Sequence, residues 1–409
     1  MTGHGARLLV ESSPGQIRAL LYEAGRVAEA WHEFAHEPDL TGSIHRARIE
    51  RVFASQNRAT ARLADGAAIS IRTSRHDRLA SGDIALVTII AAPREGKPWQ
   101  AIPGARLAGR NIVLLPAQEG IATSSRMTAP PAGDVIADLK TTLDGSGFGV
   151  ILRRDAGTAD DLAAELSSLM TDWVHGVAEA AGEGCIHNGG VLPDRLRRQY
   201  PALPMQDVQP GEAERFASDW DAMIEACCAD DVPLAGGGRL WVETTRALTA
   251  IDLDSGTGDL ASLMTEAPAM IARQLRLRQT SGLVAIDVPR ATKADSARFD
   301  AALDAALALD PRHPERLGRT RGGLVELRLP HGRSGPRDWA ADRIVTASLS
   351  VLRDLALRPA MATARIELPL AMAEWLRGPG APALAALDRP VELVVSSQAT
   401  TATLIEGPR

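Results

Sequence analysis

Two short apolar runs, each closed by an aspartate, constrain the fold more than any other feature of the chain. LTAIDLD carries Asp252, and LVAID carries Asp287. Between them, DLASLMTEAPAMIARQLRLRQT places Leu260, Met264, Ile271 and Leu275 at helical spacing. Strand, helix, strand at this spacing predicts an α/β domain with the two strands parallel. Such a crossover brings both carboxylates to one C-terminal edge, where ligand crevices form. Two carboxylates placed there repel each other unless a cation neutralises them. Few oxygen ligands, with room for water and phosphate, suit Mg2+. Asp254 lies two residues beyond Asp252 and shares its face. It is read as a third ligand or as a partner of the ligands. The plain alternative is that acidic residues commonly end strands.

Composition narrows the classes. The 409 residues suggest about two to four domains, and 45% hydrophobic with 23% charged residues rules out wholesale disorder. The net charge is −6, so any nucleic-acid site is a local patch, not a cationic coat. Aromatics make up 3%, which leaves few platforms for stacked bases. No apolar run is long enough to span a membrane, and the first residues carry no apolar signal core. Cys185, Cys227 and Cys228 form neither a disulfide framework nor a CxxC zinc site, and a reducing cytoplasm is the expected setting.

Along the chain, residues 6–33 alternate loosely with breaks at Pro14-Gly15 and Gly25, predicting strands and turns. SIHRARIERVF, RATARLADG, AAISIRTSR and DIALVTIIAA are short, evenly spaced strands, which suggest a small barrel of the OB type. Residues 134–181 are helix-rich, with Leu162, Leu166, Leu169 and Trp173 on one stripe. Residues 219–230 predict a helix, LWVETTRALTAIDLD two strands and a turn, and SARFDAALDAALAL another helix. A Gly, Pro and Arg-rich linker at 330–337 precedes a last α+β unit. Residues 266–328 hold eleven Lys/Arg against eight acidic residues. That block is either a solvated face with an arginine-rich loop or a phosphate-binding rim, including Arg319 and Arg321.

GGGRLWVETTRALTAIDLDSG followed by MIARQLRLRQTSGLVAIDV resembles the catalytic core of the ribonuclease E/G family. GRTRGGLVELRLP, REGKPWQAIPGARLAGRNIVLLP, FGVILRRDAG and the N-terminal ARLLVESSPGQIRALLYEAGRV are similar to further family motifs, in order along nearly the whole chain. The resemblance implies an α/β multidomain fold. An RNase H-like domain (1–40 and 190–235) is interrupted by an OB-fold RNA-binding barrel (41–103) and a 5′-sensor region (104–189). A DNase I-like α/β catalytic domain (236–332) and a small α+β C-terminal domain (338–409) follow. It implies a Mg2+-dependent endoribonuclease, a hydrolase of RNA processing, rRNA processing or decay, acting on single-stranded RNA. The family's two metal-binding aspartates fall on Asp252 and Asp287, and its asparagine falls on Asp254. Its 5′-monophosphate-sensing arginine falls on Arg153, with Arg154 in place of threonine. A lysine used near RNA falls on Lys97.

Departures from the pattern carry information. The base-stacking phenylalanine of the family's barrel falls on Thr60, followed by Ala61 and Arg62. A second aromatic falls on Gly322. The cysteine link that joins two subunits through zinc is absent, so no zinc-bridged dimer is expected. A non-catalytic RNA- or ribosome-associated protein on the same scaffold is the alternative. Cys185 with His187, and Cys227-Cys228, are read as structural. Gly236–Gly238 lacks the residues of a phosphate loop. Trp173, Trp220 and Trp241 are read as core anchors. Binding led by arginine and phosphate, with little stacking and a steep salt dependence, is the expectation.

Overall fold

The computed structural model describes residues 5–93, 97–125, 127, 129–158, 161–179, 184–330, 332–358 and 364–405. The start of the REGKPW motif, residues 94–96, and His331 in the linker lie outside the described residues. The chain forms two compact units, Met1–Pro38 with Pro204–Arg409, and Asp39–Leu203.

In the first unit, β1 (Arg7–Ser13), β2 (Gln16–Glu23) and β3 (Arg26–Phe34) form an antiparallel meander. Pro14-Gly15 and Ala24-Gly25 make the two turns, and both glycines take positive φ. Buried Leu9, Leu20, Tyr22 and Ala30 turn one face of this sheet towards its helix.

The second unit begins with β4 (Ile44–Phe53), β5 (Arg58–Arg62), β6 (Ala68–Arg72), β7 (Ile84–Ala91) and β8 (Trp99–Pro103). Their order is β4-β5-β6-β8-β7, and β7 pairs back to β4, so the sheet closes into a five-stranded barrel of the OB type. Alternation builds it. Ala47, Ile49, Ala59, Ala61, Ile69 and Ile71 point inward, while the arginines between them point out. Then come β9 (Leu107–Ala108), β10 (Ile112–Leu115), β11 (Gly120–Thr123), α1 (Gly133–Leu143), β12 (Gly149–Leu152), α2 (Leu162–Glu179), β13 (Cys185–His187) and α3 (Leu192–Gln199). Four of these strands form a sheet, β11-β12-β10-β9, whose core includes Leu162, Leu166 and Leu169 of α2.

The first unit resumes with β14 (Met205–Asp207), parallel to β1, and α4 (Ala213–Cys228). Next come β15 (Asp231–Pro233), β16 (Arg239–Thr244), β17 (Leu248–Asp254), α5 (Leu260–Leu277), β18 (Gly282–Asp287), α6 (Lys293–Leu307), β19 (Glu315–Arg319) and β20 (Val325–Leu329). The sheet order is β15-β16-β17-β18-β20-β19. Only β17 and β18 run parallel, joined through α5 as the spacing predicts. Every other pairing is antiparallel, because short hairpins flank this one crossover. The α/β domain is therefore a mixed sheet, not a parallel one.

Helices cover one face of that sheet. Leu240, Val242, Ile251, Leu253, Val284 and Ile286 pack against Leu263, Ile271 and Leu275 of α5 and Phe299 and Leu303 of α6. The opposite face is open. The chain ends with α7 (Pro336–Ala341), α8 (Arg343–Ala356), β21 (Ala364–Leu368), α9 (Leu370–Arg377), α10 (Ala381–Ala385), β22 (Val391–Val395) and β23 (Thr403–Ile405). These make a three-stranded sheet, β22-β21-β23, with an apolar core of their own. Among the described residues, no helix is long and apolar enough to cross a membrane.

Candidate functional site

Alternation along β16, β17 and β18 decides which residues meet. Even-spaced apolar residues face the helices, so Trp241, Glu243, Asp252, Asp254 and Asp287 all lie exposed on the open face. Asp252 and Asp287 are direct cross-strand partners in the parallel pair. Adjacent strands place such partners about 5 Å apart. The two aspartates sit at the C-terminal ends of their strands as expected, but on the sheet's open face and not in an edge crevice. They line a shallow recess with Trp241, Glu243, Ala250, Ala285 and Leu324.

Neither Asp252 nor Asp287 makes a hydrogen bond or ion pair with any described residue. No described group gathers three or more His, Cys, Asp or Glu side chains into a ready metal cage. Two unpartnered carboxylates with open solvent above them are an all-oxygen donor set. That set fits a hard divalent cation which keeps several of its waters, as Mg2+ does. Asp254 behaves differently. Its Oδ1 accepts the Gly256 amide at 2.9 Å, closing the turn that leaves β17. Asp259 then caps α5 by accepting from the Ser262 amide at 2.8 Å, and those bonds hold its carboxyl below the usual range.

The cationic block is largely spent on structure. Arg276 is buried on α5 and binds Glu29 and Glu23, each at 3.0 Å. Arg273 donates to the Val27 carbonyl, and Arg278 donates to Gln274 and the Ala226 carbonyl. Arg312 is held by Asp310, and Arg316 by Asp304 and Asp300. Arg319 pairs with Asp300 at 2.7 Å. Arg321, exposed in the turn after β19, has no ion pair among the described residues. The same is true of Arg290 and Lys293. Arg298 and Arg328 make only exposed pairs, with Asp295 and Glu315, so the rim reading of residues 266–328 rests on these two and the three side chains with no ion pair among the described residues.

In the second unit, Lys97 is exposed just before β8. Arg153, at the end of β12, donates to the Gly109 carbonyl at 2.6 Å, and burial of its guanidinium lowers its pKa. Arg154 is exposed beside it. Thr60 is half-buried on β5, Ala61 faces the barrel core, and Arg62 pairs with Glu50. A surface the sequence reading passed over lies on the same barrel. Arg46, Arg48, Arg51, Arg58 and Arg72 project outward, and Arg51 and Arg58 both lie over the Phe53 ring. Residues 41–103 hold ten Lys/Arg against five acidic residues. The signal was the alternation RARIERVF and RATAR, with every second residue outward.

Of the residues read as structural, His187 and Cys227 are buried, Cys185 is half-buried and Cys228 is exposed. His187 is buried, stacks on Trp173 at 5.7 Å and accepts from the Gly189 amide. Cys227 is buried against Trp220 and Met223, and burial pushes its thiol up to about 11. Gly237 takes φ +87, and a Cβ on Gly258 would overlap the Gly236 carbonyl, so this loop is a packed turn. Trp220 is a core anchor, whereas Trp241 is 38% exposed.

An OB-like barrel with a basic outer surface, and a mixed sheet with an acidic open face, define a multidomain α/β protein. Residues 214–328 match the Ribonuclease E/G family. The chain is 25% identical to ribonuclease E of Nostoc sp. over 288 residues, 59% of this chain and 42% of that protein. It is 22% identical to ribonuclease G of Haemophilus influenzae over 387 residues, 78% of each chain. It is 29% identical to ribonuclease E of Escherichia coli over 265 residues, 53% of this chain and 24% of that protein. The chain thus spans less than half the length of these ribonucleases E and most of the ribonuclease G. Its likeness to the Ribonuclease E/G family is carried by residues 214–328, a minority of the chain.

Proposed function

We propose that the chain is an endoribonuclease that hydrolyses single-stranded RNA, leaving 5′-phosphate and 3′-hydroxyl ends, in RNA processing or decay in the cytoplasm. In this reading the meander with β14 and α4 is the RNase H-like part, and the mixed sheet is the DNase I-like part. The observation that carries the proposal is the in-register pair Asp252 and Asp287, on an open face and without a partner among the described residues. Their carboxylates would hold Mg2+ through oxygen. Bound there, the ion would supply an activated water and offset charge on the phosphodiester. Asp254 keeps the end of β17 in place through Gly256. The outward arginines of the barrel, with Lys97, bind backbone phosphates, and Arg321 adds a cation near the sheet. Arg153 and Arg154 are the candidates for a 5′-monophosphate, with Arg153 already shared with the Gly109 carbonyl.

The test is incubation of 5′-monophosphorylated single-stranded RNA with and without Mg2+. Cleavage that requires the ion and drops by at least a hundredfold in Asp252→Ala and Asp287→Ala is the expected result. Replacing the 5′-monophosphate by a hydroxyl then reads the role of Arg153 and Arg154. The second reading, RNA binding without cleavage, is favoured by the lack of an aromatic at Thr60 and Gly322. Intact RNA that is nonetheless bound would establish it in place of the first.

A further inference from the structure

We infer that Trp241 and Glu243 form a nucleobase subsite beside the aspartate pair, one that favours guanine and disfavours uracil. The inference rests on the reading of the open face as an RNA-cleaving site.

The recess has a built shape. Its floor is Ala250 and Ala285, which are register partners and whose methyl groups leave height above the sheet. Trp241 walls one side from β16, and Leu324 walls the other from the β19–β20 turn. Trp241 pairs with Asp252 across the strands, and Glu243 pairs with Ala250. Two residues along a strand cover roughly 7 Å, about the span of one nucleotide. Phosphate at the aspartate level therefore puts an adjoining base at the level of Glu243, against the indole.

The indole is available and oriented. It is a large aromatic left at the surface, where burial would be its ordinary fate. The Arg239 guanidinium lies over its ring, 5.8 Å from the centroid. Arg239 precedes Trp241 on the strand and Glu243 follows it, so the cation covers the side away from Glu243. Arg239 is itself held by Asp231 at 3.1 Å, which keeps the stack in register. A π surface of this kind binds any base, so the indole supplies affinity and little selectivity.

Glu243 supplies the selectivity. Its side chain has no hydrogen bond or ion pair among the described residues. A carboxylate offers two adjacent acceptors. Guanine presents N1–H and N2–H side by side, a matched donor pair. Uracil presents one N–H between two carbonyl oxygens, which a carboxylate repels. The subsite also replaces what the chain lacks elsewhere, because Thr60 and Gly322 offer no ring.

A uridine decamer and the same decamer with one central guanosine test the proposal, in Mg2+, as 5′-monophosphorylated RNA. If the RNA is cut, competing initial rates give the preference. If it stays intact, fluorescence anisotropy reads binding directly, so the subsite is decided even if the cleavage reading fails. The wild type is expected to favour the guanosine decamer about tenfold. Glu243→Gln should erase that preference while binding the uridine decamer at least as well. Trp241→Ala should weaken both decamers about tenfold, through KM more than kcat, and Trp241→Phe should recover most of the loss. Cleavage or binding indifferent to Trp241→Ala, or a guanosine preference that persists in Glu243→Gln, would overturn the subsite and leave the nuclease reading standing.

Discussion

Asp254 stands where the family pattern has asparagine, yet the atom that matters is shared. A carboxylate oxygen and an amide oxygen both accept the Gly256 amide, so the turn after β17 survives the exchange. His32 shows a single residue with a larger consequence. Its ring packs edge-on against Trp220 and Trp339, and its Nε2 meets Gln16 at 2.8 Å. Burial, followed by the nearby Arg18 and His36, pushes its pKa down to about 3. The unfolded chain titrates near the ordinary 6.5, so between the two values only the unfolded state binds the proton. Stability from neutral His32 is full above about pH 6.5 and is lost as pH falls towards 3, at about 1.4 kcal/mol per unit. His36, His45 and His187 are lowered by burial in the same direction and steepen the decline. Urea unfolding at pH 7 and pH 5 is expected to show a loss of about 2 kcal/mol from His32 alone. His32→Gln should flatten the slope by one proton; an unchanged slope would count against this account.

At the scale of elements, α5 carries two duties. Its apolar stripe closes the mixed sheet, and Arg276 on the same helix reaches Glu29 and Glu23 of the N-terminal meander. Glu29 also takes Arg333 and Gln279, so the helix is pinned by a buried network. Arg276→Leu should cost about 3 kcal/mol of stability, since it strips a buried carboxylate of one partner. Thermal unfolding measures that loss, and a shift within error would show the network to be dispensable. Here lies the division between what was legible and what was not. The β17–α5–β18 crossover and the aspartate pair could be read because apolar period, length and strand ends are local signals. The partners of the arginines could not, since Glu23 and Glu29 lie some 250 positions away in the chain. Asp300 and Asp304, which neutralise Arg316 and Arg319, needed the facing of α6 and β19. Trp241 was misplaced for a different reason. The alternation of LWVE already put it with Glu243 and opposite Leu240 and Val242, but residue type was weighted above strand period.

At the scale of the whole molecule, charge is divided between the two units. The barrel segment 41–103 carries an excess of five positive charges in a chain of −6, while the sheet that bears Asp252 and Asp287 has spent most of its arginines on ion pairs. Under the proposed function, phosphate binding is expected on the outward face of β4, β5 and β6 more than at residues 266–328. On the proposed reading, RNA affinity falls with salt in proportion to the phosphates neutralised, by about 0.7 in log-log slope per contact for a single strand. Arg48→Ala and Arg58→Ala should each make that slope shallower by about 0.7, with the fold intact because both side chains are exposed. Arg316→Ala and Arg319→Ala should leave the slope unchanged, because their charge is already matched by Asp304 and Asp300. Equilibrium binding of a single-stranded RNA between about 50 and 200 mM salt separates the two sets. If instead the sheet arginines set the slope, the ion pairs to α6 must open on binding, and the cationic site belongs beside the aspartates after all.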